Sequence, residues 1–188
     1  MDTTKEKYTP QIRDILVWPD DGLHVECHDI VDFNEDLEHL VADMFVTMVA
    51  NEGVGMAAPQ IGELSNVLVI RLENSNPLAL INPEVVEVSE EEFEWEEGCL
   101  SVPGYFEKRK RPNFIVVKFK DTTGEEHTVE FRDLYAFAIL HEIDHLKGKV
   151  FVDGSSWFKE NRIKKKIRKA QKKQRHNLES IKAQLNKS

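Results

Sequence analysis

Nowhere does this sequence approach the roughly 18 uninterrupted apolar residues that a membrane-spanning helix needs. Its beginning, Met1-Asp2-Thr3-Thr4-Lys5, has neither the apolar run of a secretory signal nor the Arg-rich, acid-poor character of a transit peptide. Cysteine is scarce: Cys27 and Cys99 are too few and too far apart in sequence to staple a domain of this size. Internal repeats are absent. The expectation is therefore neither a membrane-spanning nor a disulfide-stapled protein but one of a reducing compartment, the cytoplasm. What is present is 188 residues, 40% hydrophobic and 31% charged, enough for one ordinary core under a heavily charged surface. The net charge of −9 conceals a division. Between Phe158 and Ser188 twelve Lys or Arg stand against two Glu, a local +10, so the preceding 157 residues carry −19. A basic tail on an acidic body draws polyanions to the tail alone. The plain alternative is a solvated helix whose charges keep it in solution.

The segment 35–50 sets apolar side chains at Leu37, Leu40, Val41, Met44, Phe45 and Met48. That spacing is helical, and Glu35, Asp36 and Glu38 lie in the first turn, where the helix dipole favours acids. Asn34 is its expected cap and Gly53 its stop. Strands are predicted over 67–72, 78–81 and 84–88, the last two divided by Asn82-Pro83, and around Glu94-Trp95-Glu96. Two more, over 113–120 and 126–131, are joined by Asp121-Thr122-Thr123-Gly124. A helix follows from Arg132 or Asp133 to about Leu146, and another from Trp157 to about Gln174. Strands gathered between the main helices give an α+β fold: mostly antiparallel sheets packed around a central helix, with an N-terminal and a C-terminal helix. Residues 1–157 are expected to form the folded domain and 158–188 the basic helix and tail.

The central helix, Leu134 to Leu146, is apolar nearly all round, as a buried helix is. Yet it carries His141-Glu142-Ile143-Asp144-His145. Positions four apart share a helix face, so both imidazoles can reach one metal ion. Burying these polar groups with neither partners nor a metal is costly. Metalloproteases of the HExxHxxGxxH type supply a third His; here Gly148 is in place but Phe151 stands where that His belongs. Downstream glutamates are unattractive as ligands, since Glu160 and Glu179 lie beside or inside the basic tail. Upstream, Cys99 in Glu97-Gly98-Cys99-Leu100-Ser101 completes a Cys-His-His set with the fourth position open to water, the catalytic rather than structural arrangement. Cys27 reads as a small buried hydrophobe. A thiolate with two imidazoles suits Fe²⁺, Zn²⁺, Co²⁺ or Ni²⁺. The run Gly53-Val54-Gly55-Met56-Ala57-Ala58-Pro59-Gln60 begins like a dinucleotide fingerprint, but it follows a helix and Pro59 interrupts the helix that a pyrophosphate needs. Its glycines read instead as a close approach of main chain, and Gln60 as a neutral amide donor.

Together, Gly53 to Gln60, Glu97 to Ser101 and His141 to Gly148 resemble, in order and separation, the three motifs of the peptide deformylases: G-x-G-[LM]-A-A-x-Q, E-G-C-L-S and H-E-x-D-H-x-x-G. Pro19-Asp20, Ile81-Asn82-Pro83 and Val150-Phe151-Val152-Asp153 match as well, and the resemblance spans roughly residues 9–175. It implies a metal-binding hydrolase of protein biosynthesis, cytoplasmic or organellar, that removes the formyl group from N-terminal formyl-methionine of nascent chains. It implies one divalent ion, Fe²⁺ natively with Zn²⁺, Ni²⁺ or Co²⁺ as alternatives, held by Cys99, His141 and His145. Glu142 is then the general base and later acid, and the Gln60 amide and Leu100 main-chain N–H are donors to the developing oxyanion. Gly55 is expected to bond the substrate's main chain, and Val54, Leu134, Phe137, Ala138 and His141 to line the methionine pocket. Asp144 is expected to orient a ligand or tie down the helix. The basic stretch Lys164-Lys165-Lys166-Ile167-Arg168-Lys169, with Lys172, Lys173 and Arg175, resembles the C-terminal helix by which bacterial members dock near the ribosomal exit tunnel. The ribosome, its RNA and nearby proteins, is thus the expected partner of a monomer. A metal-dependent endopeptidase, weakened by Phe151, and a catalytically idle ribosome-binding relative are the rival readings.

Overall fold

The computed structural model describes residues 8–72 and 76–185, with side chains as far as Lys173. Met1 to Lys5, residues 186–188 and the side chains of Arg175 and Glu179 lie outside the described residues. Among the described residues three α-helices, α1 (Glu35–Ala50), α2 (Asp133–Leu146) and α3 (Trp157–Leu185), accompany seven strands. The strands are β1 (Gly55–Ala57), β2 (Val67–Ile70), β3 (Leu78–Val88), β4 (Glu92–Gly98), β5 (Phe106–Pro112), β6 (Phe114–Lys120) and β7 (Glu126–Arg132). An antiparallel sheet runs in the order β1-β2-β3-β6-β7, and β4 with β5 forms a separate antiparallel hairpin.

The sheet has a helix on each face at its β1–β2 end. Leu68 and Ile70 pack with Ala136, Ile139, Ile143 and Leu146 of α2, while Val67 and Val69 pack with Val41, Met44 and Met48 of α1. A strand covered on both sides needs no polar face, which is why β2 is one apolar run with every residue buried. Asn34 caps α1 as expected, accepting from the Leu37 N–H at 3.2 Å, and the Gly53 N–H closes the helix on Met48 O at 2.9 Å.

Three elements differ from the sequence reading. β3 does not stop at Asn82-Pro83: the register shifts between Ile81 and Glu84, and the strand continues to Val88. A bulge absorbs the proline's missing donor. Asn82 takes φ 51°, and its side chain both accepts from Ile30 N and donates to Ile30 O at 2.8 Å. β5 (FEKRKRP) lacks apolar alternation, and it forms because Lys108 faces Glu96 and Lys110 faces Glu94 across the hairpin. β1, read as a glycine approach, is a three-residue edge strand paired to β2.

α2 leaves β7 at Asp133, whose N–H donates to Asn113 O at 2.8 Å, and turns out through Gly148 at φ 67°. A β-carbon at 148 would stand 2.8 Å from the carbonyl carbon of His24, so glycine is required there. α3 runs beyond the expected Gln174, and its first half belongs to the core: Ile163 and Ile167 pack with Trp18, Leu23, Val102 and Val150-Phe151-Val152. Among the described residues no helix is long and apolar enough to cross a membrane. Ile163→Ala is expected to lower unfolding free energy by about 2–5 kcal/mol, read as a lower urea midpoint with unchanged slope.

Candidate active site

The sulfur of Cys99 and the ring nitrogens of His141 and His145 lie within 4.8 Å of one another. Cys99 enters just past the end of β4, where Gly98 passes under the Phe106 ring; a β-carbon on Gly98 would be 2.5 Å from that ring. Both histidines come from α2 on one face, as spacing requires. His145 Nε2 is 3.1 Å from Cys99 Sγ. His141 Nδ1 meets the buried carboxylate of Glu97, which leaves Nε2 as the ring nitrogen that can ligate a metal.

Glu97 is the hub of this arrangement. Arg111 reaches it from β5 with two bonds, 2.8 Å to Oε1 and 3.2 Å to Oε2, and also pairs with Asp144 of α2 at 2.8 Å. Burial alone would raise the Glu97 pKa, but His141 and Arg111 outweigh it and hold the carboxyl down at about 2. Among the described residues Asp144 hydrogen-bonds to neither imidazole; it anchors Arg111 to the helix.

Burial opposes a charge on His141, yet Cys99 and Glu97 together hold its pKa well above the ordinary value. The electronegative surroundings that attract a proton there attract a cation equally, and a bound cation takes that proton's place. His145 is the reverse: burial, then the charge of His141, depress it well below the usual range, leaving the neutral imidazole that ligation needs. Its Nδ1 and Glu142 Oε2 are buried without a hydrogen-bond partner among the described residues. Burial lifts the Glu142 carboxyl to about 7. Two imidazoles, a thiol, an uncommitted buried carboxylate oxygen and an electronegative pocket fit a divalent metal ion.

Gln60 is set by the turn after β1. Its Oε1 accepts from Ala57 N at 2.8 Å, which fixes the amide so that Nε2 donates to Ser101 Oγ at 3.1 Å and lies 3.5 Å from Cys99 Sγ. The Ser101 N–H points at the same sulfur at 3.3 Å. Leu100 lines the cleft, and its N–H donates to no group among the described residues. At Gly55 the main chain comes close to α2: a β-carbon there would stand 2.5 Å from Glu142 Oε1. Its missing side chain is the space that the carboxylate occupies.

A cleft of about 1010 Å³ opens over these groups. Val54, Gly55, Leu134, Phe137 and Ala138 line it, together with Gln60, Cys99, His141 and Glu142. The sequence reading missed much of the rim, including Ile12 to Ile15, Trp95, Phe106 and Gln171 of α3. It gave Glu97 and Ser101 no role, and nothing in the sequence separates Arg111 from its neighbours Lys108, Arg109 and Lys110. Phe151, where a protease's third His belongs, is buried with its ring 6.0 Å from that of His141, a packing contact. Cys27 packs against the core, and burial pushes its thiol up to about 11. Another donor group, Asp121, Glu125 and His127, is satisfied within its own turn: Asp121 accepts from Thr123 and bonds His127 at 2.9 Å.

Gly55→Ala is expected to displace Glu142 and cut turnover at least 100-fold while leaving the melting temperature within a few degrees, checked by kinetics beside thermal unfolding. The depressed Glu97 pKa stabilises the fold above its ordinary value of 4.5, and that contribution is lost as pH falls towards about 2. The stability gap between the parent and Glu97→Gln is therefore expected to narrow across that window in denaturant unfolding at stepped pH.

The polypeptide deformylase family profile matches residues 12–161. The chain is 44% identical over 160 residues to peptide deformylase 1 of Shewanella oneidensis, covering 84% of this chain and 95% of that one. The crystal structure of a peptide deformylase from Legionella pneumophila superposes with a TM-score of 0.81 at 38% identity, over 87% of this chain and 98% of the other. A class I type b peptide deformylase from Acinetobacter baumannii, solved with Met-Ala-Ser bound, gives a TM-score of 0.74 at 29% identity, over 77% and 99%. On the strength of the profile, the relatives and a fold that carries all three motifs to one cleft, the chain belongs to the peptide deformylase family.

Proposed function

We propose that this chain, by family a metal-dependent hydrolase, removes the formyl group from the N-terminal formyl-methionine of nascent polypeptides and releases formate. One observation carries the reading: the Cys99, His141 and His145 donors converge within 4.8 Å at the base of an open cleft, beside a buried carboxylate with an unpartnered oxygen. Those three residues would hold the metal; Fe²⁺ is our reading for the native ion, and the same donor set would accommodate Zn²⁺, Ni²⁺ or Co²⁺. A divalent ion bound there supplies acidified water and polarises the formyl carbonyl.

The remaining chemistry belongs to the protein. Glu142 takes the proton of the attacking water and delivers it to the departing amine; a carboxyl lifted to about 7 by burial is close to balance between the two tasks at neutral pH. Gln60 Nε2, held by Ala57, and the Leu100 N–H donate to the negative charge growing on the formyl oxygen. The Gly55 main chain pairs with the peptide, and the methionine side chain enters the apolar wall of Val54, Leu134, Phe137 and Ala138. Met-Ala-Ser, bound by the Acinetobacter baumannii relative, is what such a substrate becomes once the formyl group has left.

In this reading residues 1–157 are the catalytic domain, and 158–188 carry it, as a cytoplasmic monomer, to the ribosome. The outward cations of α3, among them Lys165, Lys166, Arg168, Lys169, Lys172 and Lys173, are exposed and suit phosphate contacts near the exit tunnel.

Formate release from a formyl-Met-Ala-Ser peptide is expected from protein loaded anaerobically with Fe²⁺ or Ni²⁺. Glu142→Ala is expected to lose at least 10³-fold in kcat with metal content unchanged by elemental analysis, and undiminished turnover would sink the assignment. Replacing Lys165, Lys166, Arg168, Lys169 and Lys172 by Gln keeps Ile163 and Ile167 in the core. It is expected to weaken co-sedimentation with ribosomes at least ten-fold and flatten its salt dependence, while turnover of the free peptide stays the same.

A further inference from the structure

Two large aromatic side chains stand in solvent at the first turn of α3: Trp157 is 70% exposed and Phe158 79%. Their rings meet edge to face, with centroids 5.0 Å apart and planes at 82°. A single exposed apolar side chain needs no explanation, but this pair opens a helix whose outward face is otherwise cationic. Helical spacing puts Phe158 in line with Arg162, Lys165, Lys169 and Lys172, opposite the buried Ile163 and Ile167. Lys159 and Lys164 are engaged by Glu107 and Glu160. Arg162, Lys165, Lys169 and Lys172 make no ion pair among the described residues. From Phe158 to Lys172 the ridge is about 21 Å long.

The rest of the helix decides what this ridge suits. Its apolar side is already committed to Trp18, Leu23 and Val102 of the body, so beyond these two rings it presents no apolar stripe of the kind that an interfacial helix lays into a bilayer. Two rings also fall far short of a stable protein interface, roughly 800 Å² on each partner. A row of free cations is complementary to a polyanion, and the acidic body confines that polyanion to this helix. Exposed ring faces at the head of the row add a surface for flat, unpaired bases, which duplex RNA, with its bases already stacked, does not offer.

We propose that Trp157 and Phe158 form a stacking platform for an unpaired RNA base, with Arg162, Lys165, Lys169 and Lys172 tracking the phosphates that lead from it. This rests on the reading of α3 as a ribosome-docking helix and narrows it, by committing the contact to a looped or single-stranded stretch of RNA.

The test uses the full-length protein, a labelled RNA hairpin with an unpaired loop, and a fully paired duplex of the same stem, in anisotropy titrations across a salt series. The double variant W157A/F158A is expected to lose about 5- to 100-fold in affinity for the loop RNA, with duplex affinity, salt slope and formate release unchanged. The conservative variant W157F/F158Y is expected to retain loop binding. Loop affinity unmoved in W157A/F158A, or loop and duplex affinities falling together, overturns the platform and leaves ribosome docking standing. Parent protein that sediments with ribosomes no better than the charge-neutralised α3 variant overturns the docking reading and this inference with it. Preference of the parent for phosphatidylserine-containing vesicles over either RNA, lost in W157A/F158A, overturns it in favour of a lipid surface.

Discussion

Everything at the base of the cleft depends on the carboxylate of Glu97. The β4–β5 hairpin is a sheet of its own, tied at its root to β3 and β6 by Ser89 N–H to Phe114 O and Asn113 N–H to Glu91 O, and side chains fasten its far end over α2. Glu97 accepts from Arg111 within the hairpin and meets His141 on the helix, while Arg111 carries the same clamp on to Asp144. Two residues beyond Glu97 the chain delivers Cys99 to His145. One buried anion therefore fixes the tautomer of an imidazole and the placement of a sulfur at the same time. Burying it is costly, and the Arg111 guanidinium together with the His141 N–H offsets the cost. An apolar replacement of equal volume can pack as well, but it cannot point a ring.

The second constraint is close approach. α1 and α2 grip the β1–β2 end of the sheet from opposite faces, and β1, at the sheet edge, runs directly beside Glu142. Gly55 is where strand and carboxylate would collide, and the missing β-carbon resolves it. Glu142 is thereby walled off from water on one side and left with one uncommitted oxygen on the other, the two conditions that raise its pKa and leave it available for proton transfer.

Much of this was legible in the sequence wherever the information is local. Helical spacing and the Asn34 cap located α1, and the pair His141 and His145 located one face of α2. Alternation located β6 and β7. What was not legible lives between segments. β5 is a row of cations whose strand character exists only opposite the glutamates of β4, and β3 crosses Asn82-Pro83 because Asn82 is tied to Ile30, far away in sequence. Cys99, Gln60 and Glu142 stood out through the company they keep. Arg111 did not, since a cation among cations is distinguished only by what it touches.

α3 has been treated so far as a surface, but half of it is wall. Ile163 and Ile167 are buried in the body, and a β-carbon on Gly104 would come within 3.0 Å of Ala170, while Gln171 lines the cleft itself. No hinge separates the helix from the domain over this stretch. Whatever α3 lies down on, the cleft mouth is held at a set bearing to it, as a gauge is held by its bracket. Under the docking proposed for α3, such a mount would aim as well as tether, fixing the direction from which a chain end arrives before any substrate appears.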